Sequence, residues 1–380
     1  MISHCIRRIL AAASAASVAV ALSAGVTSPA AASTAGAYAW GANNLGQLGD
    51  GTTNPHLTPG SVRLPGTVLE VHGGREHAVA LLGDRTVWAW GWNKFGQIGD
   101  GTNLKRPTPV RVLTNVVAVT TGHYSSMALA TDGTVWAWGR NDTGQLGDGT
   151  TVSRNVPVRV RGLPTGGVTA IAAGRNHSLA LAAGVVYAWG SNAAGQLGTG
   201  STAPQAGPVR VPGLSGVSAI AAGRDHTLAI ASTGLYAWGE NHYGQIGSGG
   251  TADQLSPYRV GGPTGVKSVA AGADHSLAVD GGGAVWAWGR NHFGQVGDGT
   301  MSNRRTPVRV SGLTGVVRVY AGRDHSLAVT SIGTLRAWGD NTYGQLGDGT
   351  KVIRTTPVLV SGLTGVRTAG GGADFSVALV

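Results

Sequence analysis

Trp138-Gly139-Arg140-Asn141-Asp142-Thr143-Gly144-Gln145-Leu146-Gly147 is one of seven copies of a ten-residue phrase, W-G-x-N-x-x-G-Q-[LIV]-G. The copies begin at Trp40, Trp90, Trp138, Trp189, Trp238, Trp288 and Trp338, at intervals of 50, 48, 51, 49, 50 and 50 residues. Spacing this regular marks a repeat architecture, in which each unit buries its apolar surface only against its neighbours.

Working outward from the Trp189 copy, residues 168–173 alternate in polarity and stop at Gly174. Residues 177–181 form a second strand-like run, residues 185–189 a third, and residues 208–211 a short fourth after a long Gly-rich stretch. Period-two alternation without helical spacing predicts four strands per unit. Stacked around an axis, such units are propeller blades. The expected fold is therefore an all-β, seven-bladed propeller with four-stranded blades over residues 33–380. Its first unit starts at a third strand, residues 36–40, and the two missing strands sit at the other end, residues 366–369 and 375–379. One blade shared by both termini would close the ring and leave no open sheet edge.

Composition agrees. The chain has 64 Gly, 11 Trp and only 12% charged residues, as short strands and tight turns require. In Trp88-Ala89-Trp90 and Trp136-Ala137-Trp138 both indoles fall on one side of a strand. Burying an indole removes roughly 150–250 Å² from water, or about 4–6 kcal/mol. The lone cysteine, Cys5, lies in the first segment, so a processed chain would hold neither disulfide nor thiolate metal site.

Residues 1–32 read as a secretory signal peptide: Arg7 and Arg8, an apolar Ala-rich run, then Ala30-Ala31-Ala32 as the cleavage site. The expected product is secreted, without stable membrane insertion. Whether export is Sec or twin-Arg stays open. Removing Arg7 and Arg8 from 28 basic residues leaves 26 against 18 acidic, a net +8. That excess either favours anionic partners such as a cell-wall polymer or simply keeps the chain soluble.

The phrase W-G-x-N-x-x-G-Q-L-G together with A-x-G-x-x-H-S-L-A-L resembles the RCC1 (regulator of chromosome condensation) repeat family, over residues 36–380. WD40 repeats are shorter and end in Trp-Asp; kelch repeats lead with paired glycines. Neither pattern recurs here. The likeness is to a secreted bacterial type, and more distantly to the secreted β-lactamase inhibitor protein of the second type. It implies a propeller that binds proteins. The family's named eukaryotic member is a nucleotide-exchange factor for Ran, a role that export and the uniform spacing argue against.

His77, His177, His226, His275 and His325 share one repeat position, where Ser125 and Phe375 stand in two blades. We read them as structural, each fixing a loop by hydrogen bonds, because equivalent positions in separate blades lie too far apart for one metal ion. Asp-Gly-Thr at Asp50, Asp100, Asp148, Asp298 and Asp348 reads as a turn and not a calcium loop. No catalytic constellation, cofactor or metal site is expected, so the protein is read as non-catalytic.

The repeats differ where the loop after the first strand and the segment after the third open on a common face. There stand Arg75, Trp92, Lys94, Phe95, Arg140, Arg175, Arg224, Glu240, His242, Tyr243, Arg290, His292, Phe293, Arg323 and Tyr343. Aromatics and arginines are enriched at interface hot spots; alternatively, these rings only cover the blade tops. The expected function is a secreted monomeric scaffold that holds another protein through this face, inhibitor-like towards an exported enzyme. A cell-wall or glycan-binding module is the second reading and guanine-nucleotide exchange the third; nucleic acid is not expected as a partner.

Overall fold

The computed structural model describes residues 36–380; the signal-peptide reading of residues 1–32 lies outside them. Among the described residues there is no helix, and seven antiparallel four-stranded sheets form the seven blades. The blade of Trp189 runs Val168–Ala173, His177–Ala182, Val185–Gly190 and Gln205–Arg210 from inner to outer strand. Its outer strand starts at Gln205 and not at Pro208. A bulge opposite Trp189 lets Gly190 pair with Gln205 while Ala188 pairs with Val209.

The shared blade exists. Ala37–Gly41 pairs on one side with His56–Val62 and on the other with Phe375–Leu379, Tyr38 opposite Ala378. Thr368–Gly371 forms its inner strand. The first and last strands of the chain therefore lie side by side.

Seven indoles, one per blade, are the largest fully buried side chains. The companion Trp88 and Trp136 pack on the same clusters but are only half-buried, so the full burial gain applies to the second tryptophan of each pair. Each buried indole crosses to the preceding unit. Trp90 Nε1 donates to the Gln47 carbonyl at 2.9 Å and Trp138 Nε1 to that of Gln97 at 2.9 Å. Trp40 does the same to Gln345, at 2.9 Å, across the closure of the ring. The glycine two residues after that glutamine has positive φ and lies against the indole. A Cβ on Gly49 (φ +71) would come within 2.6 Å of Trp90 Nε1, so the last glycine of the phrase is obligatory.

The Asn and Gln of the phrase build the loop itself. Asn93, fully buried, accepts the Ile98 N–H and donates to the Thr102 carbonyl, while Gln97 Oε1 accepts the Phe95 N–H. The Asp-Gly-Thr aspartates cap the same segment: Asp148 accepts the backbone N–H and hydroxyl of Thr150 and holds Arg154 at 3.0 Å.

The recurrent histidines act between blades and not on a loop of their own. His77 Nε2 lies 3.0 Å from Ser126 Oγ of the next blade, and His177, His226, His275 and His325 meet Thr227, Ser276, Ser326 and Ser376 in the same way. The Ser or Thr hydroxyl donates onward to the Gln carbonyl that also takes the indole, as Ser126 does to Gln97 at 2.9 Å. Histidine therefore donates from Nε2. Its other edge rests on glycine: a Cβ on Gly74 would approach His77 Cε1 to 2.2 Å. Where Phe375 replaces histidine, Ala78 replaces the hydroxyl residue facing it, and the two share one apolar cluster.

Two predictions follow from this pinning. Phe375→His buries an Nε2–H against Ala78 with no acceptor, at about 1–3 kcal/mol. Adding Ala78→Ser recovers most of it, as a double-mutant cycle by chemical denaturation would record; additive losses would refute the pairing. Secondly, burial pushes His77 and His226 down to about 3 and His177, His275 and His325 down to about 4. The fold holds them neutral, so their contribution is intact above the unfolded value near 6.5 and is lost as pH falls from there towards 4–3. Thermal melting is expected to be flat above pH 7 and to fall steeply between pH 6.5 and 4. A flat profile down to pH 4 would contradict it.

Candidate partner-binding face

Backbone hydrogen bonds tie the two loops of every blade together on one side of the ring. Trp92 N–H donates to the Glu76 carbonyl, Arg140 to that of Tyr124 and Arg290 to that of Asp274, at 2.8–2.9 Å. The variable residue after Trp-Gly is thus fixed beside the loop after the inner strand. All fifteen candidate residues lie on this side, carried by rigid turns.

Fourteen of them fall into two unlike sectors. In the first, Trp92, Phe95 and Tyr124 form a three-ring cluster with centroids 5.2–5.7 Å apart. The guanidinium of Arg140 lies 5.3 Å from the Phe95 ring and 5.7 Å from that of Tyr124. Arg75 stacks on Tyr124 at 5.3 Å and donates to its hydroxyl. The rings are half-buried and mostly edge-on, and the arginines that hold them are themselves paired, Arg140 with Asp142 and Arg75 with Glu76. Lys94 stands beside Trp92 over a shallow hollow of about 330 Å³ that Leu45 and Leu104 also line.

The second sector is an ion-pair chain. Arg224 approaches Glu240 at 2.9 Å, Asp274 at 3.1 Å and Asp225 at 3.4 Å. Arg290 spans Asp274 and Asp324, each at 3.5 Å, and Arg323 spans Asp324 and Asp374, each at 2.8 Å. Arg175 reaches Asp225 at 3.8 Å, and His242 pairs with Glu240 at 3.1 Å. Tyr243 and Phe293 flank the Arg290 guanidinium, with His292 edge-on to Tyr243. Asp274 is buried, and burial pushes its carboxyl up to about 6 despite the two arginines. Ionising it costs the folded state at neutral pH, a cost relieved below about pH 6. Tyr343, 46% exposed, stands outside both sectors.

Tyr124, the centre of the first sector, was not among the residues singled out from sequence. The signal was there: Gly122-His123-Tyr124-Ser125 replaces the usual Gly-Arg-acid-His, the largest departure from the repeat. The axis itself offers little room. Gly73, Gly174, Gly223, Gly272, Gly322 and Gly372 crowd a central hollow of about 60 Å³. Among the described residues no group of His, Cys, Asp and Glu could hold a metal ion.

Residues 102–380 match the profile of the RCC1-like domain, and residues 36–81 and 70–97 match profiles of the regulator of chromosome condensation repeat. The fold superposes on human WBSCR16 with a TM-score of 0.82 and 26% identity, over 91% of this chain and 98% of that one. Prp20p from Saccharomyces cerevisiae, described with its binding properties to Gsp1p and histones, gives a TM-score of 0.83 and 25% identity over 91% of each chain. A yeast RCC1 (Prp20) structure with Kap60 gives 0.82 and 24% over 95% of each.

Proposed function

This chain belongs to the RCC1 repeat family, and from that premise we propose that it is a non-catalytic scaffold that binds another protein through the face bearing its long loops. The observation that carries the reading is the cluster of Trp92, Phe95 and Tyr124 with Arg75 and Arg140. Rigid aromatics rimmed by arginine lose little conformational freedom on binding and are the residue types that dominate interface energetics. The similar Prp20p, with its binding to Gsp1p and histones, is a precedent for protein binding on this fold. The leader-like residues 1–32 favour a partner met outside the cytoplasm, and an exported enzyme held by an inhibitor-like contact suits that setting.

A photo-crosslinking residue in place of Lys94, exposed to culture supernatant, is expected to trap a protein that the same residue in place of Ile332 does not. In a Trp92→Ala, Phe95→Ala, Tyr124→Ala background the adduct falls at least tenfold, on the order of the loss for a hot-spot truncation, while the thermal melt drops because packed rings are lost but still shows a cooperative transition above the temperature of the assay. Equal adducts from both faces, or carbohydrate adducts alone, would overturn the reading.

A further inference from the structure

The two ends of the ring differ in charge. Residues 36–380 carry 26 basic side chains (28 in the chain, less Arg7 and Arg8) and 18 acidic ones. The end opposite the long loops is made by the hairpins between second and third strands, the ends of the outer strands and the entries into the next inner strands. That these share one end follows from backbone bonds such as Gly83 N–H to the Thr67 carbonyl and Val116 N–H to that of Arg85. Twelve basic side chains, eleven of them arginine, belong to these segments, against four acidic ones: Glu70, Asp84, Asp132 and Asp280. That leaves fourteen of each sign on the loop end. The whole net excess of eight charges therefore sits on one end of the disc.

The arrangement repeats with the blades. Arg111, Arg159, Arg210, Arg259 and Arg309 hold the same outer-strand register, opposite Trp88, Trp136, Tyr187, Tyr236 and Trp286. All five are exposed, and Arg309 stacks on Trp286 at 5.2 Å. Beside this arc the blade of Trp338 presents Ile332, 83% exposed at a hairpin tip, with Leu359 at 51% and Val317 at 45%.

We propose that this end seats the protein on a planar anionic surface, an anionic lipid bilayer, with the long loops facing away. A linear polyanion would meet the arginines of a few neighbouring blades, whereas a plane meets the whole five-blade arc at once; Ser61 and Leu359 interrupt the register in the other two blades. Arginine suits phosphodiester headgroups because its fork takes two oxygens, and the apolar tip at Ile332 enters between headgroups. Charge balance on the loop end orients the disc. The contact is peripheral and salt-sensitive.

Co-sedimentation with phosphatidylcholine vesicles carrying phosphatidylglycerol, against phosphatidylcholine alone, tests this. Arg159→Ser, Arg210→Ser and Arg259→Ser together remove three charges from the arc. Lys105→Ser, Arg305→Ser and Lys351→Ser remove three from the loop end. At about fivefold per basic residue near the surface, the first triple loses roughly a hundredfold in partition and the second less than about threefold. Ser61 already occupies this register in the shared blade, so the first triple is expected to fold, and thermal melts verify it. Equal losses from the two triples, binding undiminished in high salt, or tighter binding to duplex DNA than to the anionic vesicles would each overturn the proposal.

Discussion

One backbone carbonyl per unit holds the ring together. The oxygen of the phrase glutamine receives the next blade's indole N–H in every case, Trp40 to Gln345 included. In six of the seven it also takes a hydroxyl from that blade. Both donors are buried, so losing either leaves a polar group without water or partner. The rest of the repeat serves this contact: Asn93 and its equivalents fold the loop that presents the carbonyl, and glycines clear room for the indole.

That economy explains what could be read before coordinates. Blade number, strand count and terminal closure were legible because each follows from spacing and alternation, and the seven phrases are intact. The role of the histidines was half legible. Their position marked them as structural, but a bond from one blade to another joins residues about 50 apart, such as His77 and Ser126, and no periodicity within one unit predicts which side chain lies across. Tyr124 was less legible for a related reason: its loop is marked in other repeats by the recurrent Arg75, Arg175, Arg224 and Arg323, and Tyr124 stands where one repeat departs from that pattern.

The two ends of the disc divide their chemistry. On the loop end, acids and arginines neutralise one another in long chains, which leaves the aromatic sector as the part with unspent apolar surface. On the other end, basic side chains outnumber acidic ones and an exposed arginine recurs at one register in five of the seven blades. The first arrangement discriminates among shapes; the second responds to charge density and ignores detail.

Units this alike pose a counting problem, since a loop could capture another unit's indole and a circle of six would satisfy each bond locally. The junction of Phe375 with Ala78 answers it. Among the described residues every other seam has a histidine, or at one place Ser125, at this position with a hydroxyl residue in the next blade, whereas this seam is apolar on both sides. A ring that left out the unit bearing Phe375 or the one bearing Ala78 would set a histidine against a methyl or Phe375 against a hydroxyl, a mismatch in either case. The odd pair works as a keyed joint, making the seam where the two ends of the chain meet unlike the other six.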